Sequence, residues 1–324
     1  MIKILSIDGG GIRGIIPAML LAEIEKRTER PIACLFDLIA GTSTGGILAL
    51  GLAIPKTPPA PLYAASQLLE MYVRDGNRIF SRPLWHRIMA CGNLRRAKYP
   101  AAGIEQVLLE YFGNSRLSDA ATDVLITSYE IERSFPFFFR SAIARERSDY
   151  NFPAREVARA TSAAPTYFEP MKLPSGTFTD HYTLIDGGVF ANNPAACALV
   201  EARTTRLDAT DFLVVSLGTG ELTSCRPYEQ TKDWGAIRWA TSVLDVVFDG
   251  LSRTVDYQLC QLLPGTSPQC QRYYRFQTTL DSHSHGLDNA SPENITALKA
   301  LAFNLVQRES VRINELCEKL TKKG

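Results

Sequence analysis

The sequence predicts an α/β protein of three layers, in which a central, mostly parallel β-sheet lies between helices on both of its faces. Three observations predict this fold class. Short apolar runs alternate with helical stretches through the first two thirds of the chain. Two early apolar runs, "IKILSI" and "DLIAG", are each followed within a few residues by glycines and a helix-forming segment. After about residue 228, long segments of helical period replace this alternation and predict a helical C-terminal part.

The individual elements follow from the period of the apolar residues and from the residues that flank them. Strands are predicted at residues 2–7, 37–41, 123–131, 136–141, 182–186 and 212–219. Helices are predicted at residues 15–28, 45–53, 61–74, 103–112, 153–163 and 194–205. Asn193 is expected to cap the last of these helices, and Pro194 is expected to occupy its first turn.

The chain is predicted to form one domain with two parts. Residues 1–227 are expected to form the core that carries the motifs described below, and residues 228–324 a mainly helical part packed on that core. In the second part, two segments of helical period, 233–263 and 291–320, are separated by one strand-like run, 273–280. No flexible linker separates the two parts, so a single domain is expected.

Composition and charge exclude several classes of function. The formal net charge of +1 over 324 residues provides no global field for a nucleic-acid polymer. The start "MIKILSIDGGG" does not read as a secretory signal, and the apolar run "GGILALGLAIP" has about half of the ~20 residues that a membrane span needs. The seven cysteines form no C-x-x-C pair, and no His/Cys/Asp cluster has metal-ligand spacing. We therefore expect a cytoplasmic protein with free thiols that uses no metal or other cofactor.

The segment "IAGTSTGGILAL" contains Gly41-x-Ser43-x-Gly45 between an apolar strand and an apolar helix. A nucleophile elbow requires this context, because a tight strand-to-helix turn exposes the serine oxygen. Glycines on both sides let the turn form without clashes of Cβ atoms. The five-residue pattern also arises by chance, so its position between strand and helix is what predicts that Ser43 is a nucleophile. The alternative is a serine that only packs at a helix start.

A serine nucleophile needs a base that accepts its proton. The sequence has four histidines, which are His86, His181, His283 and His285. None stands in a context that marks a catalytic histidine, and surface or structural roles are favoured for all of them. Asp186 is the better candidate, because it ends an apolar strand and is followed by Gly187 and Gly188, which keep that corner uncrowded. An ordinary aspartate, with a pKa of about 3.9, is a weak base at neutral pH, and partial burial would raise that pKa. The alternative for Asp186 is a plain turn residue.

The segment "SIDGGGIRGII" contains Gly9-x-Gly11-x-x-Gly14, the spacing of a dinucleotide-binding turn. Dinucleotide binding needs an acidic residue about 20 positions further on, at the end of the second strand. Asp37 is at about that distance but stands at the start of its strand and not at its end. Three consecutive glycines, Gly9, Gly10 and Gly11, instead indicate a nest of backbone N–H groups that suits an oxyanion as well as a phosphate. With a candidate nucleophile nearby we predict an oxyanion hole, and nucleotide binding stays open as the minor alternative.

Together, these motifs resemble those of the patatin-like phospholipase family, in its bacterial and plant-like patatin branch. The resemblance is carried by "SIDGGGIRG", "GTSTGG" and "DGGVFANNP", and a fourth segment, "ARATSAAPTYFEP", is similar as well. These segments span residues 6–194 in the family's order, and "WGAIRWA" and "VDYQL" are similar to helices of the plant-like branch. The resemblance implies the family's fold and a dyad of Ser43 as nucleophile and Asp186 as its base, with the glycine turn stabilising the oxyanion.

The resemblance also implies a function. We expect a lipid acyl hydrolase, of the phospholipase A or lysophospholipase type, that cleaves fatty-acyl esters of glycerolipids through an acyl-enzyme. The amides of Gly9 to Gly11, with those near Arg13, are expected to hold the developing oxyanion. Three alternatives stay open: an acyltransferase with the same elbow, a membrane-degrading effector phospholipase that a nucleotide second messenger activates, and a non-catalytic protein that binds lipid or stores nitrogen. The sequence shows no nucleotide pocket for such a small-molecule activator.

A phospholipid substrate implies a docking surface, so the protein is expected to be peripheral on the membrane when active. Between Arg74 and Lys98 there are seven Arg or Lys residues and one acidic residue, with apolar and aromatic residues between them. Such a mixture suits the surface of anionic lipid. The slightly favoured alternative is a solvated basic face over core side chains. The predicted patch comprises Arg78, Arg82, Trp85 and Arg87.

Overall fold

The computed structural model describes residues 1–57, 60–82, 97–175, 181–222, 227–265, 271–280 and 286–322. Its strands are β1 (Ile2–Ile7), β2 (Leu38–Thr42), β3 (Pro55–Thr57), β4 (Ala60–Pro61), β5 (Asp123–Glu130), β6 (Phe135–Arg140), β7 (Met171–Pro174), β8 (His181–Asp186), β9 (Phe212–Leu217), β10 (Glu221–Leu222), β11 (Tyr273–Phe276) and β12 (Thr279–Leu280).

Its α-helices, in chain order, are α1 (Ile15–Thr28), α2 (Thr44–Ala53), α3 (Ala65–Ile79), α4 (Ala101–Phe112), α5 (Ser141–Glu146), α6 (Ala154–Thr161), α7 (Gly188–Ala191), α8 (Ala195–Thr205), α9 (Tyr228–Thr231), α10 (Ala236–Leu262), α11 (Pro292–Arg308) and α12 (Ser310–Thr321). A short 3₁₀ helix, Gly11–Gly14, leads into α1.

One large sheet runs in the order β11–β9–β1–β2–β5–β8–β7, and β6 pairs with β5 beside that path. From β11 to β5, each strand is parallel to its neighbour. β6 and β8 are antiparallel to β5, and β7 is antiparallel to β8. The sheet is therefore parallel over its larger half and mixed at one edge.

The two faces of the sheet carry separate groups of buried apolar side chains, because successive residues of a strand point to opposite faces. On one face, Leu5 and Ile7 belong to the larger group, which is covered by α1, α2, α3, α4, α11 and α12. On the other face, Ile4 belongs to a smaller group, which is covered by α8 and by Leu259 of α10. The sheet thus lies between two helical layers, which confirms the predicted three-layer α/β/α fold.

The C-terminal part adds to the same sheet and the same core. β11 extends the sheet by parallel pairing with β9. α11 and α12 both pack against α1, and their apolar side chains join the larger group of buried residues. The helical C-terminal part is present, and the division of the chain at residue 227 stays a prediction.

Two strands, β2 and β8, lie end to end along one edge of β5. β2 pairs with residues 123–127 of β5, and β8 pairs with residues 128–130. β6 pairs with residues 125–130, so it occupies the opposite edge of β5. Because β2 is parallel to β5 and β8 is antiparallel to it, the C-terminal ends of β2 and β8 meet beside Thr127 and Ser128. The chain therefore leaves both strands at the same place on the sheet.

The predicted elements are present, with bounds that are shifted by a few residues. The largest shift is in the helix predicted at 61–74, which begins at Ala65 and ends at Ile79. The segment predicted as helical over 291–320 is two helices, which meet at Glu309. The run predicted as one strand over 273–280 is two strands, β11 and β12. β3, β4, β7 and β10 were not predicted, because four residues or fewer show too little of a period.

Candidate active site

Ser43 lies in a sharp turn between β2 and α2. Its backbone has φ 54° and ψ −122°, a conformation that residues other than glycine rarely adopt. Its N–H donates to Thr161 Oγ1 at 2.8 Å, and Thr161 Oγ1 donates to the carbonyl oxygen of Thr127 at 2.6 Å. Position 45 must be glycine, because a Cβ atom there would lie 2.1 Å from the carbonyl oxygen of Ile7. The turn therefore has the strand–turn–helix geometry of a nucleophile elbow.

The carboxylate of Asp186, the last residue of β8, lies close enough to the Ser43 hydroxyl for that hydroxyl to favour its charged form. Asp186 is only 3% exposed. Its Oδ1 also accepts a hydrogen bond from the N–H of Gly188 at 2.7 Å. Ser43 and Asp186 belong to separate motifs, and the structure places both in the wall of one cavity.

The glycines expected to support these two turns flank Ser43 and Asp186. Gly41 is in β2 just before the elbow, and Gly188 begins α7. A side chain is not tolerated at position 187, because a Cβ atom there would lie 2.2 Å from Thr127 Oγ1. A larger residue at this position would push the start of α7 away from β5.

Burial raises the pKa of Asp186 from its ordinary 3.8 to about 7, because the apolar surroundings disfavour the charged carboxylate. The N–H of Gly188 and the hydroxyl of Ser43 favour the charged form, but their effect is smaller. A carboxylate with a pKa near 7 is a much better proton acceptor at neutral pH than an ordinary aspartate. The environment of Asp186 therefore suits the transfer of a proton from Ser43.

No histidine of the described residues reaches Ser43. His181 begins β8, whereas Asp186 ends it, and five residues of strand separate their Cα atoms by roughly 17 Å. The His181 ring lies 3.2 Å from Glu132 at that far end. His86, His283 and His285 are outside the described residues. Within the same residues, no group of three His, Cys, Asp or Glu side chains is arranged to hold a metal ion.

The turn after β1 brings two backbone N–H groups to the same cavity. Gly10 and Gly11 line it together with Ser43, and neither of their amides has a hydrogen-bond partner among the described residues. The expectation for Gly9 is wrong, because its N–H donates to the carbonyl oxygen of Asn192 at 3.0 Å and is not free for an oxyanion. The candidate oxyanion site therefore consists of the amides of Gly10 and Gly11.

Arg13 was expected to belong to the oxyanion hole, but it supports this turn from behind, and its own amide is not free for an oxyanion. Its N–H donates to the carbonyl oxygen of Gly10 at 3.1 Å, and its Nε donates to the same oxygen at 3.3 Å. Burial lowers the pKa of the guanidinium to about 10, although Asp245, Tyr167 and Asp249 oppose this shift. The guanidinium thus remains a cation at neutral pH. It polarises the peptide that joins Gly10 to the next residue, and so strengthens the N–H donor at the far end of that peptide.

The candidate site opens into a cavity of about 60 Å³. Its apolar side chains are Ile47, Ile79, Phe80, Ile104, Phe168, Phe248 and Leu287. Sites for small molecules usually have roughly 300–1,000 Å³, so in this conformation the cavity accommodates only the reacting end of a long acyl chain. Phe248 belongs to α10 and Leu287 precedes α11, so the C-terminal part closes this side of the cavity.

A larger groove of about 790 Å³ lies elsewhere on the protein. Its lining includes Lys3, Asp37, Asp123 and Arg272, which stand at or just before the first residues of parallel strands. In open α/β sheets, ligands bind at the opposite ends of the strands. No residue of the three glycine motifs borders this groove, so the smaller cavity is the better candidate site.

The predicted membrane patch is only partly described. Arg78 Nη1 lies 2.7 Å from a carboxylate oxygen of Asp75, and its Nη2 lies 2.6 Å from one of Glu110, so carboxylates of the protein balance its charge. Trp85 and Arg87 lie outside the described residues, and the patch stays a prediction. Among the residues that the structure describes, no helix combines the length and the apolar character that crossing a bilayer requires.

Two residues of the site were not identified from the sequence. Thr161, which accepts the N–H of Ser43, lies in the "ARATSAAPTYFEP" segment. Asn192 accepts the N–H of Gly9 through its carbonyl and donates from Nδ2 to Ser252 of α10 at 3.0 Å. The only signal for either residue is its position inside a segment that resembles the family.

Comparisons with known proteins agree with these motifs. A family model described as "Patatin-like phospholipase" matches residues 5–199. Patatin-like protein 4 of Arabidopsis thaliana is 30% identical over 343 residues, which cover 97% of this chain and 85% of that protein. Patatin-like protein 2 of the same plant is 31% identical over 352 residues, with the same shares of the two chains. Among solved structures, VipD from Legionella pneumophila is similar at a TM-score of 0.41 with 10% identity, over 95% of this chain and 67% of that one. This last likeness is too distant to assign any property to the chain.

Proposed function

This chain belongs to the patatin-like phospholipase family, and we propose that it is a lipid acyl hydrolase of the phospholipase A or lysophospholipase type. In this proposal Ser43 is the nucleophile, Asp186 is the general base, and the amides of Gly10 and Gly11 bind the oxyanion. The observation that carries the proposal is that Ser43, at a strained turn, lines the same cavity as a buried carboxylate, Asp186, whose pKa is about 7. A hydroxyl beside a base whose pKa is close to the operating pH is activated for attack on an ester.

In the first half of the reaction, Ser43 Oγ attacks the carbonyl carbon of the fatty-acyl ester while its proton moves to Asp186. The carbonyl oxygen becomes an oxyanion, which accepts hydrogen bonds from the amides of Gly10 and Gly11. When the tetrahedral intermediate collapses, the bond from carbon to the alcohol oxygen breaks. Asp186 gives its proton to the departing alkoxide, and the acyl group stays on Ser43.

In the second half, water takes the place of the alcohol. Asp186 accepts a proton from this water as its oxygen attacks the acyl carbon, and the oxyanion forms again between the same two amides. Collapse breaks the bond to Ser43 Oγ, which regains a proton from Asp186, and the fatty acid is released. An alcohol in place of water would make the same enzyme an acyltransferase, so the proposed hydrolase must favour water over added alcohols.

The walls of the cavity support a fatty-acyl substrate. Ile47 lies on α2, one turn after the nucleophile, while Phe168 and Ile104 come from other segments. Such apolar groups bind an alkyl chain and exclude charged or strongly hydrated acyl groups. The same burial accounts for the raised pKa of Asp186. Substrate class and base strength are thus two results of one apolar environment.

The proposal includes peripheral binding to a membrane, and the outer face of α10 supports it. Trp239, Val243 and Val246 follow one another at helical spacing and are 44%, 42% and 39% exposed. On another face of the same helix, Phe248 lines the cavity. Helices that present Trp and aliphatic residues to the outside insert them into the interface of a bilayer. This surface would place the cavity next to its lipid.

Two variants test the function. Ser43→Ala and Asp186→Asn are expected to lower kcat on a soluble short-chain ester, and on vesicles of phosphatidylcholine and phosphatidylglycerol, by about a thousandfold or more. Ser148→Ala and Asp208→Asn change exposed residues of the same types and are expected to leave kcat unaltered. Full activity of either dyad variant would refute the proposed roles. A folded wild-type protein that releases no fatty acid from any of these substrates would refute the hydrolase function itself.

A further inference from the structure

A short segment after α6 contacts both members of the proposed dyad. Thr161 accepts the backbone N–H of Ser43 at 2.8 Å. Two residues further on, the carbonyl oxygen of Ala163 accepts the backbone N–H of Asp186 at 3.0 Å. The residue between them, Ser162, is therefore held between the turn that carries the nucleophile and the strand end that carries the base.

Ser162 lines the same cavity as Ser43 and Asp186. It is 7% exposed, and its buried Oγ has no hydrogen-bond partner among the described residues. Its backbone is engaged normally, because its N–H donates to Ala158 and its carbonyl accepts the N–H of Ala164. An unpaired buried hydroxyl destabilises a folded protein. Its presence therefore calls for a partner that arrives in the cavity.

The other buried serines of the described residues show that Ser162 is an exception. Each of them has its hydroxyl in a hydrogen bond with another protein group, and they are Ser6, Ser128, Ser141, Ser216 and Ser252. The contrast is not one of residue type or of burial. It is one of location, because Ser162 alone among these serines faces the cavity that contains Ser43.

Three other polar side chains in the cavity wall are already paired within the protein. Thr44 Oγ1 donates to the hydroxyl of Tyr72, which in turn donates to the carbonyl oxygen of Thr44. Asn192 donates from its Nδ2 to the hydroxyl of Ser252. The hydroxyl of Ser162 is not occupied in this way, so it can donate to a substrate without giving up a bond within the protein.

We propose that Ser162 is a further catalytic residue, whose hydroxyl donates a hydrogen bond to an oxygen of the reacting ester. This inference rests on the proposed hydrolase function and adds a donor to the amides of Gly10 and Gly11. The part of a fatty-acyl substrate that enters the cavity consists of an alkyl chain and the ester group. Because the alkyl chain has no hydrogen-bond acceptor, the hydroxyl of Ser162 must donate to an ester oxygen. The hydroxyl would fix the ester between the nucleophile and the base.

The test compares activity with stability. Ser162→Ala is expected to lower kcat/KM on a soluble short-chain ester roughly tenfold to a hundredfold, as loss of a donor in a buried site does. It is also expected to leave the melting temperature unchanged or higher, because it removes an unpaired buried hydroxyl. Ser162→Cys, which offers a weaker donor of similar shape, is expected to retain an intermediate kcat/KM.

A matched control is another buried serine, Ser141, whose Oγ accepts the N–H of Val124 at 2.9 Å, away from the cavity. Ser141→Ala is expected to lower the melting temperature and to leave kcat/KM of the folded protein unchanged. If Ser162→Ala instead lowers the melting temperature as Ser141→Ala does, its role is structural and the inference is overturned.

Unchanged kcat/KM of Ser162→Ala would also overturn the inference. Ser43→Ala, measured in the same series, separates this result from a failure of the proposed function. An inactive Ser43→Ala beside a fully active Ser162→Ala rejects only the role of Ser162. An active Ser43→Ala rejects the hydrolase mechanism, and the inference about Ser162 with it.

Discussion

The raised pKa of Asp186 predicts a specific dependence of activity on pH. In the proposed mechanism the carboxylate must be ionised to accept the proton of Ser43, so the rate is expected to follow the ionised fraction of Asp186. With a pKa of about 7, that fraction is about 9% at pH 6 and about 91% at pH 8. We therefore expect kcat/KM on a neutral ester to rise about tenfold between these two pH values. An aspartate with its ordinary pKa of 3.8 would give no change in this range.

The same carboxyl predicts an effect on stability of the opposite sense. Since folding raises its pKa, the folded protein binds this proton more tightly than the unfolded chain does. Its contribution to the free energy of unfolding is full below about pH 3.8 and is lost as the pH rises to about 7. A difference of about 3 pH units corresponds to about 4 kcal/mol, as an order of magnitude. Asp186→Asn, which carries no charge, is expected to gain stability relative to the wild type as the pH increases through this window.

Both effects are accessible with one pair of proteins. Release of the carboxylic acid from a neutral short-chain ester, quantified by chromatography between pH 5 and pH 9, gives kcat/KM. Urea unfolding at pH 4 and pH 8 gives the free energies of unfolding for the wild type and Asp186→Asn. A flat rate profile between pH 5 and pH 8, which a midpoint near pH 4 would produce, would refute the role of burial. The role of burial would also be refuted if the stability of Asp186→Asn relative to the wild type did not depend on pH.

Three further predictions concern the elbow, the base and the surface. Thr161→Val removes the hydroxyl that pairs two backbone groups. Urea unfolding should therefore show a free energy of unfolding that is lower by about 2–6 kcal/mol, and kcat should also be lower. Thr161→Ser keeps the hydroxyl and should be near wild type in both measurements. Gly187→Ala places a Cβ atom 2.2 Å from Thr127 Oγ1 and should lower the free energy of unfolding by at least about 1–3 kcal/mol. Gly235→Ala, with open space around its Cβ position, should leave the free energy of unfolding unchanged. Equal effects of the two substitutions would contradict the close approach at position 187. Trp239→Ser should reduce cosedimentation with phospholipid vesicles several-fold and leave activity on a soluble ester unchanged, and unaltered vesicle binding would exclude this helix face as the membrane contact.

Sequence patterns predicted the elbow and the proposed base because both lie in local contexts. Ser43 and Asp186 each end an apolar run and are each followed by glycines, and such a context is visible within about ten residues. The antiparallel direction of β8 was not predictable from the sequence in the same way. A buried apolar run has the same composition in either direction, and its direction depends on the distant strand with which it pairs.

Other features of the site depend on contacts between distant segments. The amide of Gly9 looks like those of Gly10 and Gly11 in the sequence, yet only its N–H is taken by Asn192. Similarly, hydroxyl-bearing residues stand side by side at positions 161 and 162, and the sequence gives no sign that the first is paired twice within the protein. Hydrogen bonds between residues far apart in sequence leave no periodic trace, which is why these distinctions require coordinates.

With the proposed dyad, the end-to-end placement of β2 and β8 makes turnover depend on the alignment of the sheet. Asp186 stands opposite Ser128 in the ladder, and a slip of one residue would turn its side chain to the other face. A misaligned molecule could keep much of its helical content and still hydrolyse nothing. Titration with an irreversible serine reagent would therefore count the correctly registered molecules in a refolded preparation. Circular dichroism would count both populations.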